Sequence, residues 1–541
     1  MSEYITEKNF LIAEGAEGDI YFFVEAKHQH PSAPKIIYDG RDHAVFIRNP
    51  EQKIILDYIN PEVRDKLRKA KEVVMVETLL ENKVDEEKVD YTNLNNMYQP
   101  VSGVYAKLRQ RGSHWIVWGA TVVRDDDVST GRIDDQADLV AIDQSYNYNA
   151  GFWGTNEAWM VYYDIIKVAN AALEALDNYA VNIVSEADGK RYEEYTGEVK
   201  FIRAYCYYRL TELFGPVTIL RDNKQTDMTR STVNAVYRYM LSDLEYSMTY
   251  LPRIRPNEYT DRIGAVSAFT AEMLAAKVYM EQGNWSEVER LTDDIIGSKK
   301  FSLYSDFNNL FKIPGKLCDE SLFEMQFTDF GNGSGEVVVS DSWFTFQGPL
   351  NDGNISGWGF ISPTKAFRQW AAERGETIRA TTTFLMAGET TQEGDFIKAP
   401  ASDVAPDCFN GKAYTPSNQM TEGRTEYGTN NNIRVFRYAE VLLMNAEAKV
   451  RQNKDGDISF NLVRKRAGMP ELEDVTLDQI MDERRMELAL EWGERYNDLR
   501  RTGKLSEVLG PLGWTSGKEY YPVPTAQIDI SSTLENEPKD E

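Results

Sequence analysis

The 541-residue sequence contains no run of 18 apolar residues, so no segment reads as a membrane-spanning helix. Histidine is scarce. Of four, His28, His30 and His43 lie in the first fifty residues, leaving His114 alone in the body of the chain. That leaves a Ser/His/Asp or Cys/His hydrolase poorly supported. The three cysteines fall in a helical pattern (Cys206) and in loops (Cys318, Cys408), with no CxxC or zinc-ligand spacing. There is no basic excess either. Sixty Lys and Arg stand against 86 Asp and Glu, a net charge of −26, so neither nucleic acid nor an anionic lipid surface is an expected partner. The opening MSEYITEKNF lacks a basic stretch followed by an apolar one and does not read as a signal peptide.

What the sequence has in quantity is aromatic residues: 30 Tyr, 23 Phe and 10 Trp. Several stand in Gly/Asn-rich stretches where core packing explains them poorly, and flat rings in loops are a common means of stacking on sugars. Residues 1–86 read as a small α+β module of unknown role. FLIAEG, DIYFFVEAKH and KIIYDGRDHAVFIRN have strand character, a charged helix is expected from Pro61 to Asn82, and ENKVDEEKVD is a polar linker. Residues 87–541 read as mainly helical. In NEAWMVYYDIIKVANAALEALDNY, a stripe of Trp159, Tyr163, Ile166, Asn170 and Leu173 marks one helix face. AVSAFTAEMLAAKVYMEQGNWSEVERLTDDIIG has the form of a tetratricopeptide helix pair turning at Gly283 and Asn284. The helical signal fades between about 301 and 427, an irregular aromatic-rich insertion.

Three stretches occur in the order of a known family. GEVKFIRAYCYYRLTELFGPVTIL runs from Gly197 to Leu220, with Thr218 where the family pattern has Pro. RVFRYAEVLLMNAEAKVR, from Arg434 to Arg451, leads into FNLVRKRAGMP. DERRMELALEWGERYNDLRRTG runs from Asp482 to Gly503. A terminal YYPVP near Tyr521 completes the set. Over roughly residues 90–528 the chain resembles the SusD/RagB family. The resemblance implies a tetratricopeptide-like helical scaffold with a loop-rich ligand-binding half. It implies non-catalytic capture of oligosaccharide or polysaccharide at the outer-membrane surface, and delivery to a SusC-like TonB-dependent transporter. A peptide-binding RagB-type member and a helical glycoside hydrolase are the alternative readings. The family's lipidated cysteine is not matched, since the first cysteine is Cys206.

Candidate ligand contacts gather in two regions. In HWIVWGATVVRDDDVSTGRIDD, Trp118 (or Trp115) offers a stacking face, Asp125 and Asp127 accept from sugar hydroxyls, and Arg124 donates. The resemblance implies that this early loop lines the ligand site. Trp153, in a Gly/Asn loop, and Trp343, Phe346, Asn351 and Trp358, in the insertion, supply further rings and a polar contact. No cofactor is expected, although the Asp125–Asp127 cluster offers the oxygen ligands that calcium takes. Glu483 and Glu487 sit one helical turn apart, as an acid/base pair would, but alternating charges at this spacing are expected to form ion pairs.

Overall fold

The computed structural model describes residues 89–328, 342–400, 405–422 and 430–541, except the side chain at 354, together with the backbone of five strands before residue 89. The chain divides into two units, Met1–Asp90 and Tyr91–Glu541.

In the leading unit, β1 (Tyr4–Glu7), β2 (Phe10–Glu14), β3 (Ile20–Glu25), β4 (Asp42–Ile47) and β5 (Val74–Met75) form one antiparallel sheet in sequence order. The register places Leu11 opposite Phe23 and Phe22 opposite Val45. The strand character read in the sequence is present. The helix expected from Pro61 to Asn82 is corrected at Val74–Met75, two apolar residues that pair with β4 instead. The rest of that span lies outside the described residues.

The second unit is mainly helical. Its principal helices are α1 (Gln99–Arg111), α2 (Trp115–Val122), α3 (Ala137–Ser145), α4 (Trp153–Ala180), α5 (Glu186–Phe214), α6 (Val233–Tyr250), α7 (Ala268–Glu281), α8 (Trp285–Gly297), α9 (Lys365–Arg374), α10 (Tyr438–Arg451), α11 (Asp457–Arg466), α12 (Leu477–Glu487) and α13 (Glu494–Arg501). From α4 to α8 each helix packs on the next, and α8 passes the contact on to α10. Local chemistry sets the boundaries. Ser185, Thr232 and Asn284 accept hydrogen bonds from the first-turn amides of α5, α6 and α8. Between α7 and α8, Gly283 takes φ +68°, a left-handed turn that a Cβ would strain. From Tyr195 to Phe214, α5 is buried at every position but Lys200 and forms the axis of the core. Among the described residues no helix is long and apolar enough to cross a membrane.

The stretch between α8 and α10 consists of short elements. β7 (Ser321–Met325) pairs with β11 (Ile433–Arg437), β6 (Val128–Ser129) with β8 (Ser362–Pro363), and β9 (Phe384–Met386) with β10 (Cys408–Asn410). Cys408, expected in a loop, therefore begins a strand.

The charged motif residues are interior and paired. Arg379 meets Glu483 at 2.6 Å and Glu487 at 3.3 Å; Arg437 and Arg466 reach Glu487 at 2.9 and 2.5 Å. Arg464 takes the other oxygen of Glu483 at 2.9 Å. Burial alone would raise the Glu487 carboxyl, but Arg466, Arg437 and Arg379 outweigh it and hold it down at about 2. Asp498 is held at about 2 in the same way, against its own burial, by Arg484 and Arg501. Glu483 and Glu487 are thus ion-paired, as their helical spacing suggested. Arg203 is likewise buried, bonded to Asp243 and Asn170.

Candidate functional site

α2 is apolar along its whole length, and Ile116 to Val122 are all buried. Only its first residue, Trp115, reaches the surface. α4 begins with Trp153, whose ring is 44 % exposed and stands edge-on to Trp115 at 5.4 Å. Gly154 makes that approach feasible: a Cβ there would come within 2.6 Å of Ile116 Cγ1. The third ring comes from the loop-rich half. Trp358, 37 % exposed, stands at 89° to Trp115, 5.6 Å away, and its backbone N–H donates to the Thr345 carbonyl. Beneath Trp115, Phe346 and Phe360 stack on each other at 4.7 Å. The outcome is a surface patch of three indoles resting on buried rings.

The frame beside the patch is ionic. Arg111, at the end of α1, pairs with Glu157, one turn beyond Trp153 on α4. His114 lies against Trp115 and Trp153, 3.8 Å from Glu157. Burial, with the Arg111 charge adding to it, pushes the His114 imidazole down to about 4, so it is neutral at pH 7.

The sequence candidates divide on burial. Trp153 and Trp358 face solvent in the patch. Trp343 and Phe346 belong to the same aromatic cluster but are interior, Trp343 packing on Trp118 at 5.4 Å. Trp118 is corrected to a core residue: it is 1 % exposed, and its Nε1 donates to the Glu491 carbonyl at 2.6 Å. Arg124 is also interior, sandwiched 4.2 Å from the Tyr496 ring and 5.0 Å from that of Tyr521. Asp125 is buried and accepts from the Asp127 amide; burial, reinforced by Asp127 and Asp126, pushes its carboxyl well above the usual range. Asp127 takes the Arg485 guanidinium at 2.9 Å, and Asp126 takes Arg495 at 2.9 Å. The acidic cluster is therefore neutralised from within the protein, which works against both the sugar-accepting and the calcium roles. Asn351 is occupied as well. Its amide donates to the Phe396 carbonyl at 2.7 Å and accepts from the Lys398 amide at 3.0 Å, tying two loops together.

Trp115, which the sequence offers only as the alternative to Trp118, is the ring that joins the patch. Its signal was its place beside His114, at the helix end rather than its middle.

Two family models match the chain in order. One, described as starch-binding associating with outer membrane, covers residues 78–280; the other, the SusD family, covers residues 367–512. The chain belongs to the SusD/RagB family. Similar members include a SusD-like protein of Bacteroides ovatus, 25% identical over 63% of this chain and 64% of that protein. The chain thus spans a little under two thirds of that relative. The starch-binding protein SusD of Bacteroides thetaiotaomicron is 24% identical over 62% of this chain and 71% of that one. Among solved structures, surface glycan-binding protein A from Bacteroides thetaiotaomicron in complex with laminarihexaose superposes with a TM-score of 0.66, at 24% identity, over 81% of this chain and 98% of that one. A laminarin-binding SusD-like protein gives a TM-score of 0.69 at 23% identity, over 81% and 97%. These structures share the fold of this SusD/RagB member.

Proposed function

We propose that the Trp153–Trp115–Trp358 patch holds oligosaccharide without chemistry. In this reading the chain works at the outer-membrane surface and passes its ligand to a SusC-like TonB-dependent transporter. One observation carries it: two indoles from opposite halves of the fold stand exposed around a third that braces both. Large aromatic rings left in solvent are costly unless a ligand covers them, and their faces suit the C–H faces of pyranose rings. The brace keeps the rings ordered before binding, which reduces the entropy lost when sugar docks. The starch and laminarin ligands named for relatives lend support to a neutral glucan, and Glu157, the carboxylate beside the patch, is engaged by Arg111.

Calorimetry of the full chain with laminarihexaose and maltohexaose tests the reading. Saturable heat with either sugar, lost in Trp153→Ala, is the expected result. Binding of oligopeptides but not of sugars would move the chain to the peptide-capturing branch. New reducing ends on prolonged incubation with polysaccharide would make it a hydrolase.

A further inference from the structure

A second site lies away from the indoles, among the short elements that precede α10. A cavity of about 410 Å³ opens between β9, the turn around Thr390–Glu393, and Gly411–Tyr414. Its volume falls in the range of small-molecule sites, about 300–1,000 Å³. Two cations line it with donors not fully used. Lys312 is 1 % exposed; its Nζ donates to the carbonyls of Gly411 and Tyr414, each at 2.5 Å. Among the described residues no carboxylate reaches it within ion-pair distance, and an ammonium carries a third N–H. Arg368 gives Nη2 to Asp407 at 2.8 Å and Nη1 to the Met386 sulfur, while its Nε is buried without an acceptor. A buried cation held by two carbonyls and the face of the Tyr414 ring, with no carboxylate, is costly, and so is an orphaned guanidinium N–H. One small anion in this cavity would give the Lys312 ammonium the counter-charge it lacks, with the Arg368 side chain on the same wall.

We propose that this cavity binds a carboxylate-bearing sugar unit, a hexuronate, with its carboxylate between Lys312 and Arg368. The walls suit the remainder of such a ligand. The Phe384 ring offers an apolar face, while Tyr414, whose ring lies under the Lys312 ammonium at 4.9 Å, and Thr391 and Asn308, held by bonds to Tyr414 and Glu393, complete the walls. The overall charge of −26 opposes an anionic ligand at long range, but exposed charges are screened beyond about 8 Å at physiological salt, whereas a buried ammonium and a half-buried guanidinium act at contact. Burial pushes the Lys312 ammonium down to about 7; Glu393 opposes that and Arg434 adds to it, with Glu389 and Arg368 the other charges of the cavity. A bound carboxylate favours the charged form, so binding near pH 7 takes up a proton, and affinity falls as pH rises above about 7.

The test is calorimetry of the full chain with D-glucuronate and with D-glucose, in two buffers of different ionisation heat. Glucuronate is expected to bind about tenfold or more tighter than glucose, with proton uptake at pH 7. Arg368→Gln, at a half-buried position, should weaken glucuronate about tenfold while leaving thermal stability and laminarihexaose binding unchanged. Trp153→Ala should leave glucuronate binding intact, which separates this site from the indole patch. Lys312→Gln should abolish the proton uptake if it folds; if it does not, Arg368→Gln alone decides. Equal binding of glucose and glucuronate, no glucuronate heat, or full affinity in folded Arg368→Gln would overturn the proposal.

Discussion

Trp153 stands edge-on to Trp115 at 5.4 Å, so the first residue of α4 is braced by the first residue of α2. Two scaffold helices thus begin at the same small area of surface. Because the rings sit on helix ends rather than loop tips, their spacing is set by the packing of α2 on α4.

Removing an exposed ring should therefore separate binding from folding. Trp153→Ala and Trp358→Ala are each expected to weaken laminarihexaose about tenfold with little change in melting temperature. Trp118→Ala and Phe346→Ala, at fully buried positions, should instead destabilise by about 3–5 kcal/mol in chemical denaturation. Equal effects of the two pairs on stability would mean that the exposed rings are part of the core.

Spacing between the helices is tested at Gly154. A methyl group on this residue would meet side-chain atoms of Phe152 and Ile116 within 2.6 Å, so Gly154→Ala forces these side chains to shift where α2 meets α4. A loss of about 1–3 kcal/mol is expected, together with weaker glycan binding although no ring has been removed. Unchanged affinity would show that the brace is dispensable.

Acid should unfold the scaffold along a defined path. Glu487 and Asp498 sit near 2 in the fold, against about 4 when unfolded. Depressed carboxyls stabilise fully above the unfolded value, and that stabilisation is lost as pH falls from about 4.5 towards 2. Melting temperature should drop across this window. Glu487→Gln, which leaves Arg437 and Arg466 short of a partner, should cost about 3–5 kcal/mol at pH 7.

The indole patch, by contrast, should be indifferent to pH between about 5 and 8. His114 is already neutral there, its imidazole held near 4 by burial and by Arg111. Titrating laminarihexaose at pH 5.5 and 7.5 checks this. A large difference would mean that His114 changes charge when sugar docks.

The helical frame was readable because its signals are local. The stripe through Trp159, Tyr163 and Ile166 and the turn at Gly283 each depend on neighbours a few residues away. Trp153 and Trp358 were legible as exposed rings for the same reason, since Gly and Asn around them leave no apolar face to join. Choosing between Trp115 and Trp118 was not feasible locally, because HWIVWGATVV has no polar side to orient it. The loop that follows was misread on account of distant partners. Asp126 and Asp127 look like free acceptors until Arg485 and Arg495, more than 350 residues later, are placed against them.

That last pairing has a consequence for how the molecule is made. The loop after α2 keeps three adjacent carboxyls at or near the interior, and the guanidiniums that neutralise them arrive only when synthesis has nearly finished. Trp118 likewise waits for the Glu491 carbonyl. A nascent chain halted before α12 holds the indole-bearing helices without Arg485 and Arg495, the counter-charges of this loop. Assembly of the patch is thereby deferred to the end of translation, and a fragment carrying Trp115 and Trp153 alone has no route to a finished surface.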